Sequence, residues 1–315
     1  MSQAFPPASG TESSPRAGLT SVVIVAADSG AGLLGCVAAV LASAATIEVI
    51  VVDNASSDAA VDAVVSRFAG DSRLRVVRNA SNLGFGGGCN RGAAVAAGDA
   101  LLFLNPDCMI AADVIGALRP KLAGGIGLLG AAIVDADGTP EPASRRRDPT
   151  LRRSLMTMTG LSRLERRSRV FAGVALPPPP AAGVEVVDAV SGAVMLVSRT
   201  VFEQVGGFDE GYFLHAEDFD LCRRVRDAGY AVACVNSIAV VHGKGGSSRH
   251  RPLFVARHKH RGMWRWFAKF DPAARNPLLR GVVWSGLWLH FAVRAPWLAW
   301  RQWLAGRGRG ASGVG

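Results

Sequence analysis

Several kinds of segment are missing from this chain of 315 residues, and each gap excludes something. No C-x-x-C occurs, and the five cysteines (Cys36, Cys89, Cys108, Cys222 and Cys234) are odd in number and lie mostly inside apolar runs. That argues against a disulfide framework or a zinc site and for buried, reduced thiols of a cytosolic protein. The first 18 residues are rich in Ser, Pro and Gly but have no apolar h-region, so they read as a flexible tail and not as a signal peptide. No tryptophan precedes residue 264, and beyond it no run reaches the roughly 18 to 20 apolar residues of a spanning helix. Acids are scarce, 25 against 35 Lys+Arg, leaving a net charge of +10. Such an excess calls for an anionic partner: a phosphorylated small molecule, anionic lipid or nucleic acid.

What is present is mostly an alternation. Short apolar runs at Ser21–Ala27, Glu48–Asp53, Leu74–Arg78, Ala100–Leu104 and Ile126–Val134 predict strands. Between them Leu33–Leu41, Ala59–Phe68 and Gly88–Ala97 predict helices. This order predicts an α/β fold, a mainly parallel sheet with helices on both faces. The pattern breaks at Asp137-Gly138. Nine arginines then fall between Arg145 and Arg169, followed by Pro177 to Pro180, a composition that reads as a linker or mobile basic segment. Strands are expected again at Val184–Val190, Ala193–Ser198 and Ala231–Val241, with a helix over Asp218–Asp227.

Gly30, Gly32 and Gly35 spell G-x-G-x-x-G after the first strand, and Asp53 follows at the distance of a ribose-binding acid. A dinucleotide turn places its first glycine directly after the strand. Here Asp28 and Ser29 intervene, and Asp28 sets a negative charge where a pyrophosphate would approach. The remaining motifs point elsewhere. "VVDNASSD" ends the second strand, where ligands of open α/β sheets bind. Asp53, Asn54 and Ser56 there can hydrogen-bond a base and ribose, while Ser57 or Asp58 caps the next helix. "NLGFGGGCNRG" brings Asn82 and Gly84 to the third strand end, its glycines allowing close passage of a ligand or forming an ordinary turn. "LNPD" ends the fourth strand with Asn105 and Asp107, either a plain turn or a carboxylate ligand for Mg²⁺ or Mn²⁺. In "EDFDLCRR" the acids Glu217, Asp218 and Asp220 crowd a helix start. Three exceed what capping requires, so one is expected to be a general base. A later strand delivers His242, with Lys244 in the loop beyond.

Together with "SGAVMLVSR", "GGFDEGYF" and "VVHGKGGSS", these segments resemble the inverting family 2 glycosyltransferases of GT-A fold, in the bacterial branch that includes rhamnosyltransferases of cell-wall and O-antigen assembly. The resemblance covers about residues 20 to 250. It implies a nucleoside diphosphate sugar donor, with dTDP-rhamnose the first choice, and a glycan or polyprenyl-linked glycan acceptor. It also implies Asp53 at the base, Asn82 and Gly84 shaping the nucleotide pocket, and Asp107 and His242 on a Mg²⁺ or Mn²⁺ ion. Asn54, Ser56, Asn105, Glu217 and Lys244 are expected around the donor, and Asp218 as the catalytic base. Asn105 replaces the first acid of the family's D-x-D. A binding protein without catalysis and an NAD-dependent oxidoreductase remain as alternatives.

The implied organisation is a tail over residues 1–19, a GT-A domain over 20–250 with a basic Pro/Arg-rich segment near 143–183, and a basic, Trp-rich region over 251–315. From Lys244 onward there are fourteen Lys/Arg and one acid, Asp271. Trp284, Leu287, Trp288, Phe291 and Ala295 share a helical face, with Arg280, Arg294 and Arg301 able to reach phosphates. That predicts an interfacial helix docking a cytoplasmic enzyme on the inner, anionic membrane face, or else a terminal helix packed on the domain. No nucleic-acid-reading module is recognised, and no nucleic acid partner is expected.

Overall fold

The computed structural model describes residues 15–45, 47–179, 183–243 and 251–310, with side chains described to residue 303. In chain order the elements are β1 (Arg16–Ala26), α1 (Gly32–Leu41), β2 (Ile47–Asp53), α2 (Ala60–Arg67), β3 (Leu74–Arg78), α3 (Gly84–Val95) and β4 (Gly98–Leu104). There follow β5 (Cys108–Met109), α4 (Val114–Leu118), β6 (Ile126–Val134), β7 (Arg145–Arg146), α5 (Leu151–Met158), β8 (Val184–Val186), β9 (Ala189–Val190) and β10 (Val194–Ser198). The chain continues with α6 (Arg199–Gln204), α7 (Glu217–Asp227), β11 (Ala231–His242), α8 (Pro252–Phe270) and α9 (Pro277–Gly310). β1 opens at Arg16, inside the stretch read as a tail, because its backbone pairs there with Gly98.

The main sheet runs β3-β2-β1-β4-β10-β6-β11-β5, with β8 added on β11. β3, β2, β1 and β4 are mutually parallel, β10 is antiparallel to β4 and β6, and β11 is parallel to β6. The sheet is therefore mainly parallel, as the alternation predicts, with β10 inserted in the opposite sense. Both faces are covered, which explains why the central strands are apolar throughout instead of alternating. α1, α2 and α4 close one face through Leu33, Val37, Val40, Val64 and Ile115. α3, α6 and α7 close the other through Cys89, Phe202, Leu221 and Val225, with Phe103 and Phe208 between them.

Two expectations change. The glycines of "GFGGGCNRG" lie inside α3, which starts four residues earlier than periodicity suggests. They serve helix-on-sheet packing: a Cβ at Gly88 would stand 2.6 Å from Val25 Cγ1, and one at Gly92 2.4 Å from Val23 Cγ1. The stretch read as a linker is folded into the domain. β7 pairs with β9, and Arg145, Arg147 and Arg153 are ion-paired to Glu185, Glu165 and Asp188. Composition marked these arginines as solvated, but their partners lie far enough along the chain to be invisible to local pattern.

The C-terminal helices form a hairpin. α8 packs on the domain through Trp266, buried with Tyr212 and Ala216. It is clamped by Lys269 to Asp209 (2.8 Å) and to the fully buried Asp220 (2.6 Å), and by Arg265 to Asp209. The face of α9 expected to meet a membrane is largely turned inward: Leu287, Trp288, Phe291 and Ala295 are half-buried and α9 faces α8 there, while Trp284 at its start is 50% exposed. His260 Nε2 of α8 lies 2.9 Å from His290 Nδ1 of α9, and the Phe291 ring stands 5.5 Å from that of His260. The sequence masked a second apolar face. Leu278, Val282, Leu289, Val293, Trp297 and Trp300 fall along one side of α9 at helical spacing, each between 47 and 79% exposed. No helix among the described residues is long and apolar enough to cross a membrane.

Candidate active site

The candidate residues gather where the parallel strands end. β1 and β2 finish in left-handed backbone at Asp28 (φ 53°) and Ala55 (φ 57°), which turns both loops over the sheet edge. The loops are stitched together: Asp28 Oδ1 accepts from Ser57 N (2.7 Å) and Oγ (2.8 Å), and Asp58 Oδ2 accepts from Gly30 N (2.8 Å). Ser57 therefore binds Asp28 in place of capping α2, while Asp58 reaches the first turn only through Ala60 N at 3.3 Å. The same Asp58 bond settles the glycine motif. The Gly30 amide already holds a carboxylate and is closed to a pyrophosphate.

Asp53 is buried at the end of β2, its carboxylate taking Ser56 N (2.9 Å) and the Arg78 guanidinium (2.9 Å). Ser56 Oγ accepts from Asp28 N. Asn54 is corrected as a ligand contact: its amide nitrogen donates to Asn82 Oδ1 and Gly84 O, and its oxygen accepts from Asn79 Nδ2 and Leu83 N. Four bonds exhaust an asparagine side chain, so Asn54 braces the crevice wall. Asn82 is exposed at the rim. Gly84 (φ 78°) opens α3 where a Cβ would stand 2.3 Å from Phe213 O, so it fits the "GYFLHAED" loop against α3.

Asn105 and Asp107 leave β4 in a tight turn that pairs through Cys108 with His242 at the end of β11. His242 Nε2 lies 3.3 Å from Asp107 Oδ1 and 3.5 Å from Asn105 Nδ2. On its other side Nδ1 lies 3.3 Å from Glu141 Oε1, a carboxylate that fixes the ring so that Nε2 faces the turn. The hydrogen bond to Asp107 holds the imidazole pKa above its ordinary value. An oxygen, an imidazole nitrogen and an amide, open toward solvent, suit a Mg²⁺ or Mn²⁺ ion whose other ligands come from a diphosphate. Cys108 Sγ lies in the same cluster, but burial pushes its thiol well above the usual range and it donates to Ala193 O, so it stays protonated. Lys244 and Arg249 lie outside the described residues.

The acids of α7 follow a strained loop in which His215 (φ 68°) and Ala216 (φ 73°) are both left-handed. His215 itself is exposed on this loop. Glu217 is buried with Oε2 unpartnered. Burial, and then the neighbouring Asp218 charge, push it up to about 8, so at neutral pH it is a protonated acid. Burial also works to raise Asp218, but the Arg146 guanidinium and the amides of Phe219 and Gly192 outweigh it and keep this carboxylate ionised. Asp218 Oδ2 accepts from Arg146 Nη2 and Gly192 N (3.1 Å), and Oδ1 from Phe219 N (2.8 Å). Arg146 itself lies on the Phe219 ring, 3.9 Å from its centroid. Three donors leave one lone-pair direction on Oδ1 for a hydroxyl. Gly192-Ala193 joins the two halves of the site, since Ala193 O accepts from Asn105 N at 2.9 Å.

Sequence reasoning missed Arg146 and Glu141, neither of which sits in a motif. Only the unusual arginine density around residue 146 offered a signal.

Two family descriptions match the chain: "Glycosyl transferase family 2" over residues 21–174, and "N-terminal domain of galactosyltransferase" over residues 186–244. The N-acetylglucosaminyl-diphospho-decaprenol L-rhamnosyltransferase of Mycobacterium tuberculosis is 31% identical over 268 residues, covering 76% of this chain and 85% of its own. Two solved structures share the fold. GalNAc-T7 with UDP, GalNAc and Mn²⁺ gives a TM-score of 0.56 at 18% identity, covering 71% of this chain and 43% of that one. The mannosyltransferase PcManGT of Pyrobaculum calidifontis with GDP-Man and Mn²⁺ gives 0.55 at 17% identity, covering 94% and 76%. The mainly parallel α/β sheet with acids at its strand ends thus belongs to glycosyltransferase family 2, and the chain is a GT-A enzyme of its rhamnosyltransferase-like branch.

Proposed function

We propose that the enzyme moves L-rhamnose from dTDP-L-rhamnose, with inversion, to a sugar hydroxyl of a polyprenyl-diphosphate-linked or other cell-surface glycan. The observation that carries the chemistry is Asp218. It is an ionised, nearly buried carboxylate held by three donors, with one lone pair open, and Gly192-Ala193 joins it to the turn bearing Asn105 and Asp107. The choice of sugar and acceptor rests on likeness to the mycobacterial rhamnosyltransferase.

In the proposed reaction Asp218 Oδ1 accepts the proton of the acceptor hydroxyl as that oxygen attacks the anomeric carbon in line. The new C–O bond forms as the bond to the diphosphate breaks, and the nucleoside diphosphate leaves with the electron pair. A divalent cation on Asp107 and His242 would supply positive charge to the departing diphosphate. Glu141 holds His242 in register for that ion. Arg146 keeps Asp218 ionised and aimed, and Asp53 and Asn82 line the nucleotide end. Lys244 is assigned to the diphosphate with them. Glu217, protonated and turned into the protein, spares Asp218 a second adjacent charge.

The enzyme is placed on the inner membrane face through the exposed stripe of α9, with cations of both C-terminal helices nearby. Apolar area and basic charge are two weak signals that act together there. Sedimentation with anionic vesicles tests this, and Val293→Glu with Trp300→Glu is expected to abolish it.

Thermal stabilisation by dTDP, UDP, GDP and NAD, each with and without Mn²⁺, tests the donor. A ligand at 100 times its dissociation constant adds about 2.7 kcal/mol. Metal-enhanced stabilisation by dTDP is expected, and stabilisation by NAD alone would refute the assignment.

A further inference from the structure

A cleft of about 410 Å³ lies away from the donor crevice, between α5 and the turn that joins α8 to α9. Leu151, Leu155 and Met156 form one wall and Pro272 and Ala273 the other, with Arg152 at the edge, so the surface is almost wholly apolar. Its volume falls within the range of small-molecule sites. The cleft is pinned at its base. Asp271, the single acid of the C-terminal region, is buried there, and its carboxylate accepts from Leu151 N (2.6 Å) on one wall and Ala273 N (2.8 Å) on the other.

Three surroundings point to one kind of occupant. The segment flanking the cleft is cationic: Arg152, Arg163, Arg166, Arg167 and Arg169 are exposed, and the one acid among them, Glu165, is bound to Arg147. The exposed side of α9 starts close by in the chain, since Leu278 follows Ala273 by five residues and is 79% exposed. The α5 wall of the cleft is also tied to the reacting centre through the chain. Thr150 is four residues from Arg146, hence within about 14 Å of it along the chain, and Arg146 holds Asp218. Phe270, which precedes Asp271, lies under Arg223 (5.5 Å), which is on the same helix as Asp218. An apolar cleft with Arg152 at its edge, exposed arginines in the segment that follows it and a carboxylate that takes a sugar hydroxyl match, in order, an isoprenoid chain, a diphosphate and a sugar.

We propose that this cleft holds the first isoprenoid units of the acceptor lipid, with the arginines of residues 152–169 facing its diphosphate. The proposal rests on the reading of the acceptor as polyprenyl-linked. It explains why α5 leaves Leu155 and Met158 about half exposed next to so many cations. It also gives the α8–α9 turn a task distinct from that of the membrane-facing stripe.

The test is photolabelling of the full-length protein with a benzophenone-tagged geranylgeranyl diphosphate, with mapping of the labelled peptides. A phosphatidylglycerol vesicle carrying a photoreactive acyl chain is the parallel probe. The diphosphate probe is expected to label residues 150–158 and 271–279, and the acyl probe the α9 stripe. Leu155→Glu is expected to lower cleft labelling at least tenfold, while Leu155→Met retains it. Prenyl label confined to α9 would overturn the proposal, and so would equal labelling of the cleft by the acyl chain. Cleft labelling without sugar transfer to any prenyl-linked acceptor would uphold the cleft and sink the acceptor assignment. Transfer with prenyl label elsewhere would sink the cleft alone.

Discussion

Glu217→Gln separates what the two acids at the start of α7 do. In the folded protein Glu217 keeps its proton up to about pH 8, against an ordinary value of 4.5, because burial and the Asp218 charge both oppose ionisation. Above pH 4.5 the unfolded chain therefore sheds a proton that the folded chain retains. The stability this group contributes is whole below pH 4.5 and drains away as pH rises toward 8. The slope approaches about 1 kcal/mol per pH unit, so between pH 5 and pH 7 wild type loses on the order of 2 kcal/mol that Glu217→Gln keeps. At roughly 2 °C per kcal/mol for a chain of this size, the variant should gain a few degrees in Tm over wild type across that interval. Every other titrating group is common to both proteins and cancels in the difference. Paired melting curves from pH 5 to 8 provide the assay. Since glutamine resembles the protonated acid, sugar transfer at pH 7 should be retained. A Tm offset that does not change with pH would refute the assignment of Glu217 as a buried neutral acid.

Removing the guanidinium with Arg146→Met leaves burial and Glu217 to act on Asp218, so the acid limb of the kcat/KM pH profile should move up by about 1 to 3 units. An unmoved limb would show that Arg146 does not govern Asp218. Glu141→Ala frees the far side of His242 and should weaken Mn²⁺ binding in the presence of nucleotide by about 10- to 100-fold, read by calorimetry. Gly84→Ala forces a Cβ to within 2.3 Å of Phe213 O at φ 78°, and should cost at least about 2 kcal/mol in urea unfolding as the "GYFLHAED" loop is driven off α3.

The elements set by local pattern were legible. β6 (Ile126–Val134) coincides with its apolar run, because a strand buried on both faces must be apolar along its length, and β3 (Leu74–Arg78) coincides with its run although it is an edge strand with Arg75 and Arg78 exposed. The start of α3 was not legible. Four glycines between residues 84 and 88 argue against helix by propensity, and only the closeness of Val25 and Phe208 explains why nothing larger fits. Among the candidate site residues, Asp53, Asp107, Asp218 and His242 stood out in the sequence because each sits at the end of a recognisable element. Arg146 could not, since its partner is 72 residues away and its own surroundings look like a solvated basic run. Asn54 was found for the wrong reason: its position at the strand end is real, but the fold consumes all its hydrogen bonds. The C-terminal region misled in a similar way, because α9 carries two apolar faces and the one picked out by Leu287, Trp288, Phe291 and Ala295 is turned to α8.

The central claim is that Asp218 deprotonates the acceptor in a site whose donor binding does not depend on it. The direct measurement is single-turnover transfer of labelled sugar by wild type and Asp218→Asn, alongside nucleotide-induced thermal stabilisation of both in Mn²⁺. The account predicts that transfer falls by about 10²- to 10⁴-fold while stabilisation by the nucleotide is unchanged. Transfer at the wild-type rate by Asp218→Asn would contradict it.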